Sequence, residues 1–301
     1  MNKEISKEKF RKINVSNDEI DIKYSYSIKN NIIRTFKSNK LALICLILLV
    51  LITLVSIFAP VITKFDPNEQ DVLNKLSPPS RTHLFGTDEL GRDYFTRTIY
   101  GGRISLSVGF LSMILSTLIG TIIGLISGFY GGKIDTLLMR FTDVFLTLPS
   151  FLLIVVINTI LPSNVYSMII ILGLFEWSQI ARVVRAETIS LKESEFIVAS
   201  RHLGASKSYI ILKHILPNII PTIIVGSTLA VARAILTESS LSFLGVGIQL
   251  PKASWGTLLR GAQSYIITNP YLAIYPGVFI VITVISFNVM GDAIRSAVSR
   301  N

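Results

Sequence analysis

Four ionisable residues lie within apolar stretches and are the first candidates for chemistry: Asp143, Glu176, Arg233 and Glu238. A charge inside a membrane is costly and usually serves a function. Arg233 and Glu238 are five residues apart, about 140° around a helix axis, so they cannot easily pair with each other. Each would face a water-filled path, a partner subunit or the membrane interface, and we expect the interface because long side chains extend toward it. Asp143 is expected to pair with Arg140 on the same helix face.

The sequence patterns of enzymes are missing around these charges. His83, His202 and His214 do not form HExxH, and there is neither a GxSxG nucleophile elbow nor a carboxylate pair on one intramembrane face. The nearest approach to a phosphate-binding loop, residues 128–134, is one residue too short and lacks a Ser or Thr after its lysine. The single cysteine, Cys45, excludes an intrachain disulfide and a cysteine metal cluster. We therefore predict no catalytic, cofactor or metal site, and no ATP hydrolysis by this chain.

Composition places these residues in a membrane protein. Of the 301 residues, 50% are hydrophobic and 16% charged, with a mean hydropathy of +0.58. These values are typical of a polytopic membrane protein. The net charge of +10 does not indicate nucleic-acid binding, because the basic residues lie between the apolar runs, where they determine membrane orientation.

The apolar runs predict an all-α integral membrane protein with six transmembrane helices. Residues 41–62 form a first span of about the twenty residues that a bilayer requires, and residues 104–291 form a five-helix core. The spans predicted in this core are residues 104–130, 145–161, 167–180, 219–243 and 271–290. Pro149 is expected to bend the second of these five.

The distribution of basic residues predicts the orientation. Residues 1–40 and residues 181–218 have a basic excess, whereas charges balance in residues 63–103. We therefore expect a cell-membrane protein whose loop 181–218 and two termini are cytosolic, including the tail 292–301, and whose loop 63–103 is extracytoplasmic. Residues 1–40 combine a polar tail with a predicted interfacial amphipathic helix, in which Ile28, Ile32 and Phe36 repeat every four residues among basic side chains.

The polar segment Glu195–Asn218 consists of a short helix, a glycine, a second short helix and a proline. We expect Ser194 and Ser206 to cap the two helices, Gly204 to adopt a left-handed conformation and Pro217 to end the second helix. One face of the first helix combines apolar and small side chains: Phe196, Ala199, Ser200 and Leu203. Such a face lets another protein approach closely, although periodicity alone fits a solvated loop equally well.

This segment resembles the EAA loop of the membrane subunits of bacterial ABC importers. The family pattern of Glu-Ala-Ala, three residues, Gly and an apolar-Leu-Pro ending occurs here as Val198-Ala199-Ser200, Gly204 and Ile215-Leu216-Pro217, with Val198 at the glutamate position. In that family the segment is the coupling helix, which fits a cleft on the ATPase subunit and transmits its motion. The resemblance implies that coupling involves Glu195, Ala199, Ser200, Leu203, Gly204, Ala205 and Ser206. Arg233 and Glu238 remain candidates for charged residues that line the path or contact the partner subunit.

Three further stretches are similar to the C-type subunit of the dipeptide and oligopeptide permease branch. They are Leu84-Phe85-Gly86-Thr87-Asp88 with the following Leu90-Gly91-Arg92-Asp93 and Arg103-Ile104-Ser105-Leu106, then Ser240-Leu241-Ser242-Phe243-Leu244-Gly245 with Ser254-Trp255-Gly256, and Asn288-Val289-Met290-Gly291-Asp292. We expect the carboxylates of Asp88 and Asp93 to order their loop rather than bind calcium.

The resemblance implies an ABC importer type I permease fold with a cytosolic coupling helix. It also implies a homologous second permease subunit, two ATP-binding subunits, an extracytoplasmic substrate-binding protein and alternating access driven by ATP. The expected cargo is di- or oligopeptide, and nickel or another metal chelate is the alternative within the branch. An ion-coupled secondary transporter is the alternative from a different class, and it predicts repeated halves with interrupted spans.

Overall fold

The computed structural model describes residues 34–298. Within this range the chain is all-α, with residues 34–38 helical and one isolated bridge between Thr87 and Asp93. The main helices are α1 Lys40–Ile57, α2 Tyr94–Tyr130, α3 Gly132–Thr147, α4 Ser150–Ile160, α5 Val165–Lys192, α6 Glu195–His202, α7 Lys207–Phe243, α8 Trp255–Ala262 and α9 Tyr271–Val298. Short turns of helix occur at Ala59–Ile62, Val72–Asn74 and Gln263–Tyr265. The predicted amphipathic helix lies outside the described residues except for its last part.

Five of the helices in residues 34–298 are long and apolar enough to cross a membrane: α1, α2, α5, α7 and α9. The remaining predicted span, residues 145–161, covers only the end of α3 and all of α4, and these two helices meet at an angle of 83°. Pro149 therefore does more than bend one helix. The preceding residue, Leu148, has an extended backbone, as a residue before proline prefers, so α3 ends and α4 starts in a new direction.

Several helices extend beyond the predicted membrane boundaries. α2 begins at Tyr94 instead of Ile104, because the Asp93 side chain caps it by accepting a hydrogen bond from the Thr96 backbone. α5 and α7 continue into residues 181–218, and α9 continues to Val298 through most of the predicted tail. Hydropathy marks where a helix leaves the membrane, whereas caps and chain breaks determine where it ends.

α2 lies at the centre of the bundle and packs most closely against α5. Three glycines spaced four residues apart, Gly120, Gly124 and Gly128, face the α5 backbone, and a Cβ atom at each would lie 2.6–2.8 Å from a carbonyl oxygen of α5. Small residues at this spacing let two membrane helices approach closely. The contact packs α2 and α5 together along about three turns of each helix.

Candidate coupling segment and intramembrane charges

Helix α6 ends in a turn that requires glycine. The Gly204 N–H donates to Arg201 O and the Ala205 N–H donates to Ser200 O, each over 3.1 Å, which is the Schellman pattern. Gly204 has a φ of +83°, and a Cβ atom there would meet nothing within 4 Å. The predicted left-handed conformation is confirmed, and backbone conformation rather than crowding requires glycine at this position.

Of the three other boundaries predicted for the Glu195–Asn218 segment, one is confirmed and two are wrong. Ser206 accepts a hydrogen bond from the Tyr209 backbone and caps the start of α7, as predicted. The Ser194 hydroxyl does not cap α6, because it donates instead to Leu191 O at 2.6 Å. Pro217 does not end the second helix. A π-helical turn over Ile210–Ile215 widens the backbone before the proline, so α7 passes through it without a break.

One side of the segment is fixed in the bundle and the other side is exposed. Ile197 of α6 and Ile210 of α7 are fully buried in an apolar cluster that also contains Val184 of α5. On the opposite side Leu203 is 89% exposed and Phe196 48% exposed. The residues proposed for coupling divide accordingly: Glu195, Ala199, Leu203, Gly204 and Ser206 are exposed, and Ser200 and Ala205 are half-buried. The structure thus presents an apolar surface on a rigid base.

Polar contacts hold this base against the carboxyl end of α2. The Lys192 ammonium donates to Gly128 O at 3.0 Å, and the Lys207 ammonium lies 5.4 Å from the centre of the Tyr130 ring. A cation near the last carbonyls of a helix also interacts favourably with the helix dipole. The segment therefore lies at one end of α2, a helix about 55 Å long at 1.5 Å per residue.

Two arginines of α5 bind the short helix α3. Arg185 makes a two-pronged contact with Asp135, at 2.5 and 2.6 Å, and the Ser127 hydroxyl donates to the same carboxylate. Arg182 donates to Asp143 at 2.6 Å. The expected pair of Asp143 with Arg140 is therefore wrong, because an arginine on the neighbouring helix reaches the carboxylate with better geometry than one on the same helix.

Glu238 is fully buried among polar groups of its own chain. Its carboxylate accepts hydrogen bonds from Ser105 of α2 at 3.1 Å and Ser242 of α7 at 2.8 Å. Each of these serines also accepts a backbone N–H group, from Trp255 and Ile248 respectively. The network joins α2, α7 and the start of α8, so the Glu238 side chain reaches no surface of the described chain.

We expected Arg233 to extend to the membrane interface at a helix end, but its side chain lies against Glu176 of α5 instead. The Arg233 Nε atom is 3.9 Å from the Glu176 Oε2 atom. Spacing within a single helix did not indicate this pair. The positions of the two residues along their helices could have indicated it. Glu176 lies about three turns after the start of α5, and Arg233 lies about three turns before the end of the antiparallel helix α7.

At the other end of α2, charged side chains order the loop of residues 63–93. Asp88 accepts from the Arg92 side chain at 2.7 Å and lies 3.3 Å from Arg97. Asp93 contacts the His83 ring at 2.9 Å and caps α2. The loop-ordering role predicted for the two aspartates is confirmed.

Comparison with known proteins agrees with the fold. A solved structure of the MetNI methionine ABC transporter in an inward-facing conformation matches with a TM-score of 0.58 and 20% identity, over 67% of this chain and 97% of that chain. This likeness establishes the fold alone, which the chain shares with the permease of that transporter.

The family follows from sequence. Residues 120–301 match the family model described as "Binding-protein-dependent transport system inner membrane component". Residues 30–79 match the model described as "N-terminal TM domain of oligopeptide transport permease C". The chain belongs to this family of inner-membrane transport components, which confirms the resemblance to ABC importer permeases.

Relatives with high coverage include two oligopeptide permeases and one dipeptide permease. The oligopeptide transport system permease protein OppC of Bacillus subtilis is 42% identical over 91% of this chain and 90% of that protein. OppC of Escherichia coli is 40% identical over 88% of each chain. The dipeptide transport system permease protein DppC of Alkalihalophilus pseudofirmus is 41% identical over 88% of this chain and 87% of that protein.

Proposed function

We propose that this chain is the C-type membrane subunit of an ATP-driven importer of di- and oligopeptides. The observation that carries the proposal is the similarity, at about 40% identity over nearly the whole length, to permeases of oligopeptide and dipeptide transport systems. The chain would form half of a translocation path, and a homologous second permease would form the other half. An extracytoplasmic binding protein would deliver the peptide, in keeping with the family description.

One of the two ATP-binding subunits would dock on the Glu195–Asn218 segment, and the second permease would hold the other. The exposed apolar side chains of Phe196 and Leu203 support this assignment, since an apolar surface on a rigid base is suited to burial against a partner. The segment and both chain termini would then lie on the cytosolic side of the cell membrane, which agrees with the basic excess of residues 181–218.

Coupling would proceed through the buried side of the segment. When the ATP-binding subunits close, α6 moves with them, and Ile197 and Ile210 transmit the displacement to α5 and α7. The close contact of Gly120, Gly124 and Gly128 with α5 means that α2 must move as well. Packed cores switch between arrangements rather than deform continuously, so the helices would tilt as rigid bodies and alternate access to the path.

The experiment is uptake in cells that lack this chain. We expect accumulation of a labelled dipeptide and of labelled trialanine to require the chain, while ⁶³Ni²⁺ uptake is unchanged. Loss of nickel uptake with peptide uptake intact would replace peptide by a metal chelate as cargo.

A second measurement separates the ATP-driven mechanism from an ion-coupled one. Depleting ATP while the ion gradient is maintained should abolish uptake, and the solubilised chain should co-purify with ATP-binding subunits. Persistent uptake without ATP, together with no associated ATPase, would contradict the proposal.

A further inference from the structure

Glu176 and Arg233 lie inside α5 and α7, two helices long and apolar enough to cross a membrane. Each is about three turns from one end of its helix, Glu176 from the start of α5 and Arg233 from the end of α7. Val165, at the start of α5, and Leu241, near the end of α7, belong to the same apolar cluster. Three turns correspond to about 15 Å, which is half the thickness of the hydrocarbon core of a bilayer.

The hydrogen-bonding capacity of this pair is unused. The closest approach of the two side chains, 3.9 Å, exceeds a hydrogen-bond distance, and within residues 34–298 neither side chain makes a hydrogen bond. A carboxylate can accept about four hydrogen bonds and a guanidinium can donate five. The buried Glu238, by contrast, accepts hydrogen bonds from serine hydroxyls. The Glu176 and Arg233 side chains are thus available to a ligand.

The pair also faces open space. The Arg233 side chain is 39% exposed and that of Glu176 is 15% exposed. Arg233 and Gln179 line both a cavity of about 580 Å³ and a smaller one of about 220 Å³, and Glu176 lines the smaller one. An arginine exposed to lipid at this depth would be costly. This face of α5 and α7 must therefore border water or another subunit.

We propose that Glu176 and Arg233 bind the amino-terminal residue of a peptide as it passes through the path. Glu176 accepts hydrogen bonds from the α-ammonium group, and Arg233 donates to the first carbonyl oxygen. In a free peptide this nitrogen and oxygen are about 3 Å apart, which matches an adjacent acceptor and donor. This unit is the same in every free peptide, so the site accepts cargo of different length and side chains.

The site rests on the proposed peptide cargo, and its test must separate binding from a structural ion pair between α5 and α7. The variants are Glu176→Gln, Arg233→Gln and the exchange Glu176→Arg with Arg233→Glu. The exchange keeps one acceptor and one donor in contact but reverses their positions. Asp143→Asn is the control, since that carboxylate pairs with Arg182 away from the two cavities.

The importer is reconstituted in vesicles with its partner subunits and binding protein loaded with radiolabelled trialanine. We expect each glutamine variant to lower the uptake rate at low peptide concentration about tenfold or more, because it removes a charge-assisted hydrogen bond to the peptide. The exchange variant should recover the wild-type unfolding temperature but not the uptake rate, and Asp143→Asn should transport as wild type.

Three outcomes are decisive. Wild-type rates in Glu176→Gln would overturn the site, and so would recovery of transport in the exchange variant, which would assign the pair to structure alone. A wild-type importer that transports no peptide would instead overturn the proposed function.

Discussion

The two ends of α2 differ in how they treat charged side chains. At its amino end four charged residues, Asp88, Arg92, Asp93 and Arg97, are at most 5% exposed and contact one another or the surrounding loop. At its carboxyl end, the side chains of Leu203 and Phe196 in the Glu195–Asn218 segment are exposed. The amino end buries its charges, whereas the carboxyl end holds exposed apolar side chains on a rigid base.

This difference shows which end is complete within the chain. Buried charges are tolerated only when their partners are in place, and the 63–93 loop supplies those partners itself. An exposed apolar surface on a rigid base gains free energy only when something covers it. Changes at the loop should therefore affect folding, whereas changes at the segment should affect assembly.

The largest effect is expected for Asp88→Asn. It leaves Arg97 buried without a carboxylate and Arg92 with Glu89 alone, and removing one partner of a buried ion pair costs about 3–5 kcal/mol. The measurement is thermal unfolding of the purified chain in detergent. Asp66→Asn is the control, because that exposed residue accepts a single backbone hydrogen bond, which asparagine can also accept. Equal unfolding temperatures for the two variants would remove the distinction between the two ends.

Leu203→Asp should affect assembly rather than folding. Loss of one well-buried interface leucine weakens binding by about 2 kcal/mol, roughly thirtyfold in affinity. We expect the unfolding temperature to stay the same while co-purification with the ATP-binding subunits is lost. Leu73→Asp, at a 95% exposed leucine in the 63–93 loop, should change neither. Normal assembly of the Leu203→Asp chain would contradict the docking role.

Gly204→Val should give a smaller, local effect. Forcing a β-branched residue into the left-handed region costs about 1–2 kcal/mol and redirects the chain between α6 and α7. We expect the chain to insert normally and ATP hydrolysis to stop responding to substrate. Gly132→Val is the matched control, since Gly132 has a φ of +54° and equally open surroundings outside the segment. If both variants keep substrate-stimulated hydrolysis, the turn is not needed for coupling.

The smallest effect is expected for Asp143→Asn. The Asp143–Arg182 pair is about half exposed, and such pairs contribute about 0–1 kcal/mol. Added salt should reduce even this contribution, because ions screen exposed charges. Unfolding temperatures at low and high salt provide the test. A large, salt-independent loss of stability would show that the pair is shielded from solvent by another subunit or by lipid.

Much of the candidate site could be predicted from local sequence. The left-handed Gly204, the cap at Ser206 and the loop-ordering aspartates Asp88 and Asp93 all follow from residue type and short-range spacing. The errors arose where a local rule met a neighbouring helix or a backbone adjustment. Arg182 displaced Arg140 as the partner of Asp143, and a π-helical turn let α7 continue through Pro217.

Sequence by itself determined the helical membrane class, the number of apolar runs and the motifs of the family, because hydropathy and turn chemistry act over short distances. Only the tertiary structure decided which charges meet. Glu238 became a buried centre of hydrogen bonds, whereas Glu176 and Arg233 met across two antiparallel helices and kept their hydrogen-bonding capacity. The physical reason is that pairing depends on depth and facing between helices, which are fixed by close contacts such as that of Gly124 with the α5 backbone.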